Sequence, residues 1–374
     1  MMENRKIRVL HVAQAAGGVD RYLKTLFKYM DKDEVENILV ASHDYVKSEY
    51  QGLVSDFQYL DMKRAIGLTD LSATFKLRAL IKKYKPDIVY GHSSKAGAIV
   101  RMANIGLSSK CIYNPHGWAF NMRCSSLKKA VYTAIEKAAA PFCDKIICIS
   151  EAERISAITK NICRENKLLV IYNGVDVEEY KASKHGVIKR FDLGIPEDAF
   201  VMGMVGRISQ QKAPDVFVKA AKEIKAIIPN AYFIIVGDGE MKAEIINYAK
   251  DNVLMDCLHI TGWVSNPLDF VELFDVACLL SRWEGFGLVL PEYMMVGKPI
   301  VATRVDAIPY IIKNKSNGLL VNVDDVADTV RAISNVYSDS SLRNELVSQG
   351  NKDVSSKFNV YRVSKETEAL LKKL

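Results

Sequence analysis

The sequence predicts an α/β protein of two similar halves, each a sheet with helices between its strands. Three observations carry this. The chain has 374 residues, too many for one compact core and natural for two domains. Short apolar runs, each ending in a small polar or glycine turn and followed by a segment of helical spacing, recur along both halves. The third is the stretch 281–304, SRWEGFGLVLPEYMMVGKPIVATR. An apolar strand at 276–280 enters it, a turn at Gly285, Phe286 and Gly287 breaks it, and a helix follows until Gly297 and Pro299. A second strand at 299–303 closes the unit. Its loop lies at the carboxyl end of a strand, where such sheets bind ligands.

The first half opens with a strand at 7–13, a turn at Gly17 and Gly18, and a helix at 20–30 on Tyr22, Leu23, Leu26 and Phe27. This is how a nucleotide-binding βα unit begins. It lacks the second half of G-x-G-x-x-G, so a plain tight turn is the competing reading. A strand at 37–41 and an amphipathic helix at 71–84, stopped before Pro86, come next. The strand at 87–90 ends in Gly91-His92-Ser93-Ser94-Lys95-Ala96-Gly97. Either Ser93 or Ser94 caps the helix expected at 98–105, or His92, Ser94 and Lys95 hold an anionic acceptor. A strand at 111–114 leads to Pro115-His116-Gly117-Trp118, a sharp turn that puts another histidine at a strand end.

Residues 123–140 read as a helix with Leu127, Val131, Ile135 and Ala138 on one face and Lys128, Lys129 and Lys137 off it. Two readings stay open: the apolar face enters the core, or a basic amphipathic helix lies on an anionic membrane. A strand at 144–150, a helix at 151–158 capped by Ser150 and a strand at 168–171 complete the half. The predicted domains are 1–175, a linker at 176–198, 199–359, and a closing helix at 360–374.

The second half restarts the pattern with a strand at 200–205. The loop Gly206-Arg207-Ile208-Ser209-Gln210-Gln211-Lys212 follows, and Pro214 opens a helix to 227. Arg207 and Lys212 both come from a strand's carboxyl end and can turn into one cleft. Arginine offers a bidentate fork for phosphate, lysine a mobile point charge. Strands at 231–236, 258–261 and 317–321 and helices at 325–337 and 341–349 fill the rest. In the central stretch the backbone N–H groups near Phe286, Gly287 and Leu288 can face an anion at a helix start. Glu284 and Glu292 bracket that start and can reach sugar hydroxyls.

EGFGLVLPE followed by GKPIVAT resembles the signature of the retaining, nucleotide-sugar-dependent family 4 glycosyltransferases. The resemblance spans nearly the whole chain, through GRISQQK, YNGVD and the GG turn. It implies the GT-B fold: two Rossmann-like domains facing across a cleft, with the C-terminal helix crossing back to the first. It places Gly17 and Gly18 near the donor diphosphate and His116 near the reacting sugar. Val264, in the Gly262-Trp263-Val264 turn, falls by the base. Arg207 and Lys212 fall on the diphosphate, Glu284 on the donor sugar and Glu292 on the ribose. HSSKAG resembles turns in members that extend polyprenyl-diphosphate-linked sugars. The implied activity is transfer of a hexosyl or N-acetylhexosaminyl unit, with a UDP-linked donor expected. The acceptor is a lipid-linked saccharide in capsule or exopolysaccharide synthesis. Alternatives are a small soluble acceptor or a nucleotide-sugar-binding protein without turnover. A dinucleotide oxidoreductase would want a full G-x-G-x-x-G and a ribose-binding acid after the second strand; neither is clear.

No Asp-x-Asp pair stands at a strand end, so no divalent ion is expected, and no cofactor is expected because the nucleotide diphosphate-sugar is the substrate. The seven cysteines include no C-x-x-C pair, and no signal peptide precedes the first strand. Reduced thiols and a cytoplasmic location, at the inner face of the plasma membrane if the lipid reading holds, are the expectation. No run nears the length needed to span a bilayer. The charge is uneven: residues 1–167 hold 27 Lys and Arg against 17 Asp and Glu, the remainder 24 against 27. The surplus is either a solvated surface or a face for anionic lipid or a pyrophosphate-bearing acceptor. No motif supports nucleic acid.

Overall fold

The computed structural model describes residues 5–62, 67, 69–122 and 124–374. The chain divides into two compact units. The first joins Met1–Asn173 to Val360–Leu374; the second is Gly174–Asn359.

The first unit is built on seven parallel strands. They are β1 (Ile7–Ala13), β2 (Val35–Ala41), β3 (Asp56–Tyr59), β4 (Ile88–His92), β5 (Lys110–Asn114), β6 (Lys145–Cys148) and β7 (Leu168–Val170), in the order β3-β2-β1-β4-β5-β6-β7. Its helices are α1 (Gly18–Tyr29), α2 (Thr69–Tyr84), α3 (Ser94–Ala103), α4 (Ser126–Ala139) and α5 (Glu151–Thr159). The central strands are apolar along their length because helices cover both faces. On one face Leu10, Val12, Val89 and Ile146 pack with Leu77, Ile99 and Val100. On the other Val9, Ile88 and Ile112 pack with Leu23, Leu26 and Phe27.

The second unit carries β8 (Phe200–Val205), β9 (Ala231–Val236), β10 (Leu258–Ile260), β11 (Val276–Leu279), β12 (Ile300–Thr303) and β13 (Leu319–Val321). All are parallel, in the order β10-β9-β8-β11-β12-β13. Its helices are α6 (Val177–Ala182), α7 (Pro214–Ile227), α8 (Lys242–Asp251), α9 (Leu268–Val271), α10 (Val289–Val296), α11 (Ile308–Ile311), α12 (Val326–Ser338) and α13 (Ser340–Ser356). Met202, Met204, Phe217, Phe233, Ile235 and Val301 lie in its core. The last helix, α14 (Val360–Lys372), returns to the first unit and packs on α1. There Ser364 Oγ donates to Leu26 O at 3.3 Å, and Glu368 Oε1 accepts from Asp31 N at 2.8 Å.

In both sheets the strand order reverses once, between β1 and β4 and between β8 and β11. Loops leaving the carboxyl ends of those pairs diverge and leave a crevice, the usual ligand position in such sheets. The topology thus singles out the loops after β1, β4, β8 and β11.

Three local readings change. The strand expected at 87–90 runs to His92, and α3 begins at Ser94 rather than 98. Ser93, at φ 89°, is its N-cap and accepts from Ala96 N. Gly91 and Gly97 permit this close contact: a Cβ on Gly91 would sit 2.8 Å from Gly97 Cα, and one on Gly97 would enter the Tyr113 ring. The sequence reading also passed over β3 and α8 and the short α6, α9 and α11, with α6 inside the expected linker, and the helix expected at 341–349 runs over Ser340–Ser356. For the helix at 123–140, Arg123 lies outside the described residues and the helix spans Ser126–Ala139. Its apolar face does not enter the core. Leu127 is 75% exposed, Val131 47% and Ile135 39%, and the only buried residue of the helix is Glu136. Glu136 turns inward because Arg101 Nη2 and Tyr113 OH both donate to it, at 3.0 and 2.7 Å.

Candidate active site

In the second unit the loop after β8 and the loop after β11 are laced together. Arg282 N donates to Gln211 O at 2.8 Å, and Gln211 Nε2 to Trp283 O at 3.0 Å. Arg282 is the clamp. Its Nη2 reaches Asp215 Oδ2 and its Nε reaches Asp324 Oδ1, both at 2.7 Å, while Nη1 donates to Gln210 O at 2.9 Å. The planar fork suits such multipoint anchoring. Sequence reasoning gave Arg282 no role, although it stands inside the motif.

This lacing brings Lys212 to Glu284. Lys212 Nζ lies 2.5 Å from Glu284 Oε2, both largely buried. Ser281 Oγ donates to the same oxygen at 3.2 Å, and Glu284 N donates to Asp306 Oδ2 at 2.9 Å. Asp306 takes φ 45° and Ala213, just before α7, takes φ 50°. Backbone held in the left-handed region by non-glycine residues commonly marks a functional loop. The turn then reaches Gly287, whose φ of 81° glycine accommodates, and Leu288, the N-cap of α10 without a side-chain cap. The first N–H groups of α10 thus come one short turn after Glu284. Glu292 lies in the first turn of α10, buried, and Phe286 is buried.

Arg207 does not join that cluster. Its Nε lies 3.3 Å from Glu240 Oε2, and its side chain is 74% exposed. It lines a separate hollow of about 410 Å³ with Gly206, Gly237, Asp238, Trp263, Val264 and Pro267. The loops after β8 and β9 meet closely there: a Cβ on Gly237 would stand 2.0 Å from Gly206 O. Arg207 and Val264 therefore share one wall, apart from the Lys212–Glu284 pair. Trp263, 83% exposed beside Val264, is a second residue the sequence reading left without a role. A large exposed aromatic at a strand end was the available signal.

In the first unit Gly17 and Gly18 form the turn from β1 into α1, with Gly17 at φ 89°. His92 is corrected. It is fully buried, and both ring nitrogens are occupied: Nε2 lies 3.1 Å from His11 Nδ1 and Nδ1 lies 3.1 Å from His116 Nε2. It has no atom to offer an acceptor. Burial pushes its pKa well below the usual imidazole value, so it is neutral. Ser94 and Lys95 open α3, and Lys95 Nζ is paired with Asp70 Oδ1 at 2.9 Å.

His116 sits in the turn after β5, partly exposed and at φ 51°. Its N–H donates to Asn114 Oδ1 at 2.9 Å, and its ring packs edge-on against Tyr22 at 4.7 Å. Burial lowers its pKa to about 3. Glu153 supports the turn from below, accepting from Trp118 N at 3.1 Å and Ile149 N at 3.2 Å. Burial raises Glu153 to about 7 against those two hydrogen bonds. His11, Asn37 and Glu153 all went unread in the sequence; a polar residue inside an apolar strand was the signal for the first two, and Glu153 stands three residues after the cap Ser150 in a polar helix start.

The family described as "Glycosyl transferases group 1" matches residues 188–353, and "Glycosyltransferase Family 4" matches residues 16–179. An Escherichia coli protein, UDP-Gal:alpha-D-GlcNAc-diphosphoundecaprenol alpha-1,3-galactosyltransferase, is 31% identical over 369 residues, covering 96% of this chain and 95% of the relative. The chain belongs to the family 4 glycosyltransferases. This glycosyltransferase is also 26% identical to the Staphylococcus aureus capsular polysaccharide biosynthesis glycosyltransferase CapM, over 99% of its own length and 97% of the relative's. Among solved structures, Anabaena HepE in complex with UDP and glucose has a TM-score of 0.84 at 20% identity, covering 98% of this chain and 100% of the other. The fold is GT-B, and CapM is named for capsular polysaccharide biosynthesis.

Proposed function

We propose that this glycosyltransferase moves a hexosyl or N-acetylhexosaminyl unit, with retention, from a UDP-linked donor to a polyprenyl-diphosphate-linked saccharide. The observation that carries the reading is the Lys212–Glu284 pair, set directly before the helix start of α10 at the switch point of the second sheet. When the bond between the anomeric carbon and the diphosphate breaks, negative charge grows on the leaving oxygen. Lys212 and the first N–H groups of α10 are fixed donors for that charge, with Arg207 at the start of the same loop reaching in from the neighbouring hollow, and no bound cation is required. Glu284, released from Lys212 as the diphosphate takes its place, holds hydroxyls of the donor sugar. Glu292 takes the ribose diol, and the hollow beside Trp263 and Val264 takes the base. The Escherichia coli relative's name joins a UDP-sugar to a lipid-diphosphate acceptor, which supports both halves of the reading.

The acceptor's lipid calls for a membrane surface. Among the described residues no helix is long and apolar enough to cross one. The exposed stripe Leu127, Val131 and Ile135 on α4, beside the exposed Lys128 and Lys137, suits peripheral contact with anionic lipid at the cytoplasmic face. Vesicle flotation checks this: binding to anionic vesicles should be lost in L127E/V131E and weakened by salt.

The deciding experiment is calorimetry with UDP-sugars, followed by transfer of labelled sugar to an undecaprenyl-diphosphate-linked GlcNAc acceptor with EDTA present. One UDP-sugar should bind, and transfer should persist in EDTA. Glu292→Ala should weaken UDP binding roughly 10- to 100-fold, the range for a hydrogen-bonded charged group. Binding of no UDP-sugar would overturn the donor. Transfer only to a soluble sugar would overturn the acceptor, and full loss in EDTA restored by a divalent ion would overturn the metal-free step.

A further inference from the structure

Three of the six histidines of the chain form a single file in the first unit. His11 lies within β1, His92 ends β4, and His116 follows β5. These strands are neighbours, with Ala13 opposite His92 and His92 opposite Asn114. The file starts at Asn37 on β2, whose Oδ1 lies 3.0 Å from His11 Nε2. It continues from His11 Nδ1 to His92 Nε2 and from His92 Nδ1 to His116 Nε2, each 3.1 Å. His11 and His92 are fully buried, and His116 is partly exposed. The walls are aromatic: Phe27 lies 4.8 Å from His11, Tyr90 4.0 Å from His92 and Tyr22 4.7 Å from His116, ring centre to ring centre.

Each link holds one proton, and the file has one direction. Asn37 Oδ1 carries no hydrogen, so His11 Nε2 donates to it. A neutral imidazole has one N–H, so His11 Nδ1 is bare and accepts from His92 Nε2. The same step repeats, and His92 Nδ1 accepts from His116 Nε2. One lone pair is left over, on His116 Nδ1. We propose that Asn37, His11 and His92 are positioning residues that lock the tautomer of His116, committing its proton to Nε2 and presenting Nδ1 as a fixed hydrogen-bond acceptor for a substrate hydroxyl. The substrate assignment rests on the glycosyl-transfer reading; the lock itself does not. A free neutral imidazole exchanges tautomers and must settle on one when a ligand arrives. A locked ring has made that choice within the fold, so the acceptor is in place before the sugar binds. Burial of His11 and His92, and the largely enclosed position of His116, keep the file neutral, which the one-proton-per-link arrangement requires.

The test is nitrogen-15 NMR of the full chain with labelled histidine at neutral pH, the His116 signals assigned through His116→Gln. His116 should carry its proton on Nε2 with Nδ1 bare, as should His92 and His11. A proton on His116 Nδ1, or exchange between the two forms, would overturn the lock. Variants of His11 extend the test. His11→Asn keeps an amide oxygen where Nδ1 stood and should preserve the His116 tautomer and most turnover. His11→Leu removes the acceptor, so the two His116 tautomers should mix. Turnover should then fall roughly tenfold, the scale of one lost hydrogen bond, with donor KM little changed. Equal kcat in the two variants would sink the positioning role. If His11→Leu does not fold, the spectrum of the unaltered chain still decides. Failure of UDP-sugars to bind the unaltered chain would overturn the glycosyl-transfer reading alone, since the tautomer is measured without substrate.

Discussion

Lys212→Ala is expected to cut kcat by a factor of about 10² to 10³, with a smaller change in donor KM. The ammonium is held 2.5 Å from Glu284 in a largely buried position beside the start of α10. As the bond to the anomeric carbon breaks, the already anionic diphosphate gains further negative charge on its departing oxygen, so a fixed cation there lowers the barrier selectively. Removing one such preorganised donor typically costs about 3–4 kcal/mol. The substitution also strands Glu284, because a buried carboxylate loses its counter-charge. A fall in melting temperature is therefore expected and must be separated from catalysis. Adding Glu284→Gln should recover stability, since the stranded charge is gone, but not turnover. Calorimetry of UDP and steady-state kinetics on the single and double variants make the comparison. Near-normal kcat in Lys212→Ala would end the proposed role. The matching Arg207→Ala effect should be smaller, because Arg207 is mostly exposed and faces Glu240.

Acidification should destabilise the first unit well before ordinary carboxylates titrate. Burial lowers His11 and His116 to about 3 and holds His92 well below the usual value. In the unfolded chain each titrates near 6.5. As pH falls below about 6.5 the unfolded chain therefore gains protons that the native file refuses, and stability drops until about pH 3. Each such group contributes up to about 1.4 kcal/mol per pH unit. Glu153 acts the other way. Raised to about 7, it is protonated in the native state while the unfolded carboxylate is still charged, so it adds stability as pH falls from about 7 to 4.5. Three histidines against one glutamate leave a net loss on the order of 2–3 kcal/mol per pH unit between about 6.5 and 4.5. Urea melts at pH 7.5, 6.0 and 5.0 measure it. Buried Trp118 reports on the first unit, and Trp263 and Trp283 on the second. Constant stability of the first unit across that range would show that the file is not neutral and buried as described.

How much of this was legible in the chain depends on the range of the interaction involved. Strand β1, strand β8, helix α7 and strand β9 were readable to the residue. Apolar run length, Pro214 at a helix start and glycine turns are local signals, and local sterics decide them. β3 was missed because it is a short edge strand whose pattern, Asp-Phe-Gln-Tyr, carries little apolar signal. The start of α3 was placed late because Ser93 caps from a left-handed conformation that spacing alone does not reveal. On α4 the sequence defined an apolar face but not what covers it. Only the packing shows that Glu136, drawn in by Arg101 and Tyr113, turns the opposite side to the core.

By itself the sequence determined the two-unit α/β plan, the carboxyl-end loops as the place for chemistry, and the residue types waiting there. Those follow from periodicity and turn chemistry, which act over a few residues. The tertiary structure alone decided which of those residues meet. Lys212 reaches Glu284 while Arg207 turns to Glu240, and His92 points inward to join His11 and His116 rather than outward to a ligand. Such pairings span 24 to 81 positions in the chain. They are fixed by strand order and by the cost of burying a polar atom without a partner, neither of which any short stretch of sequence contains.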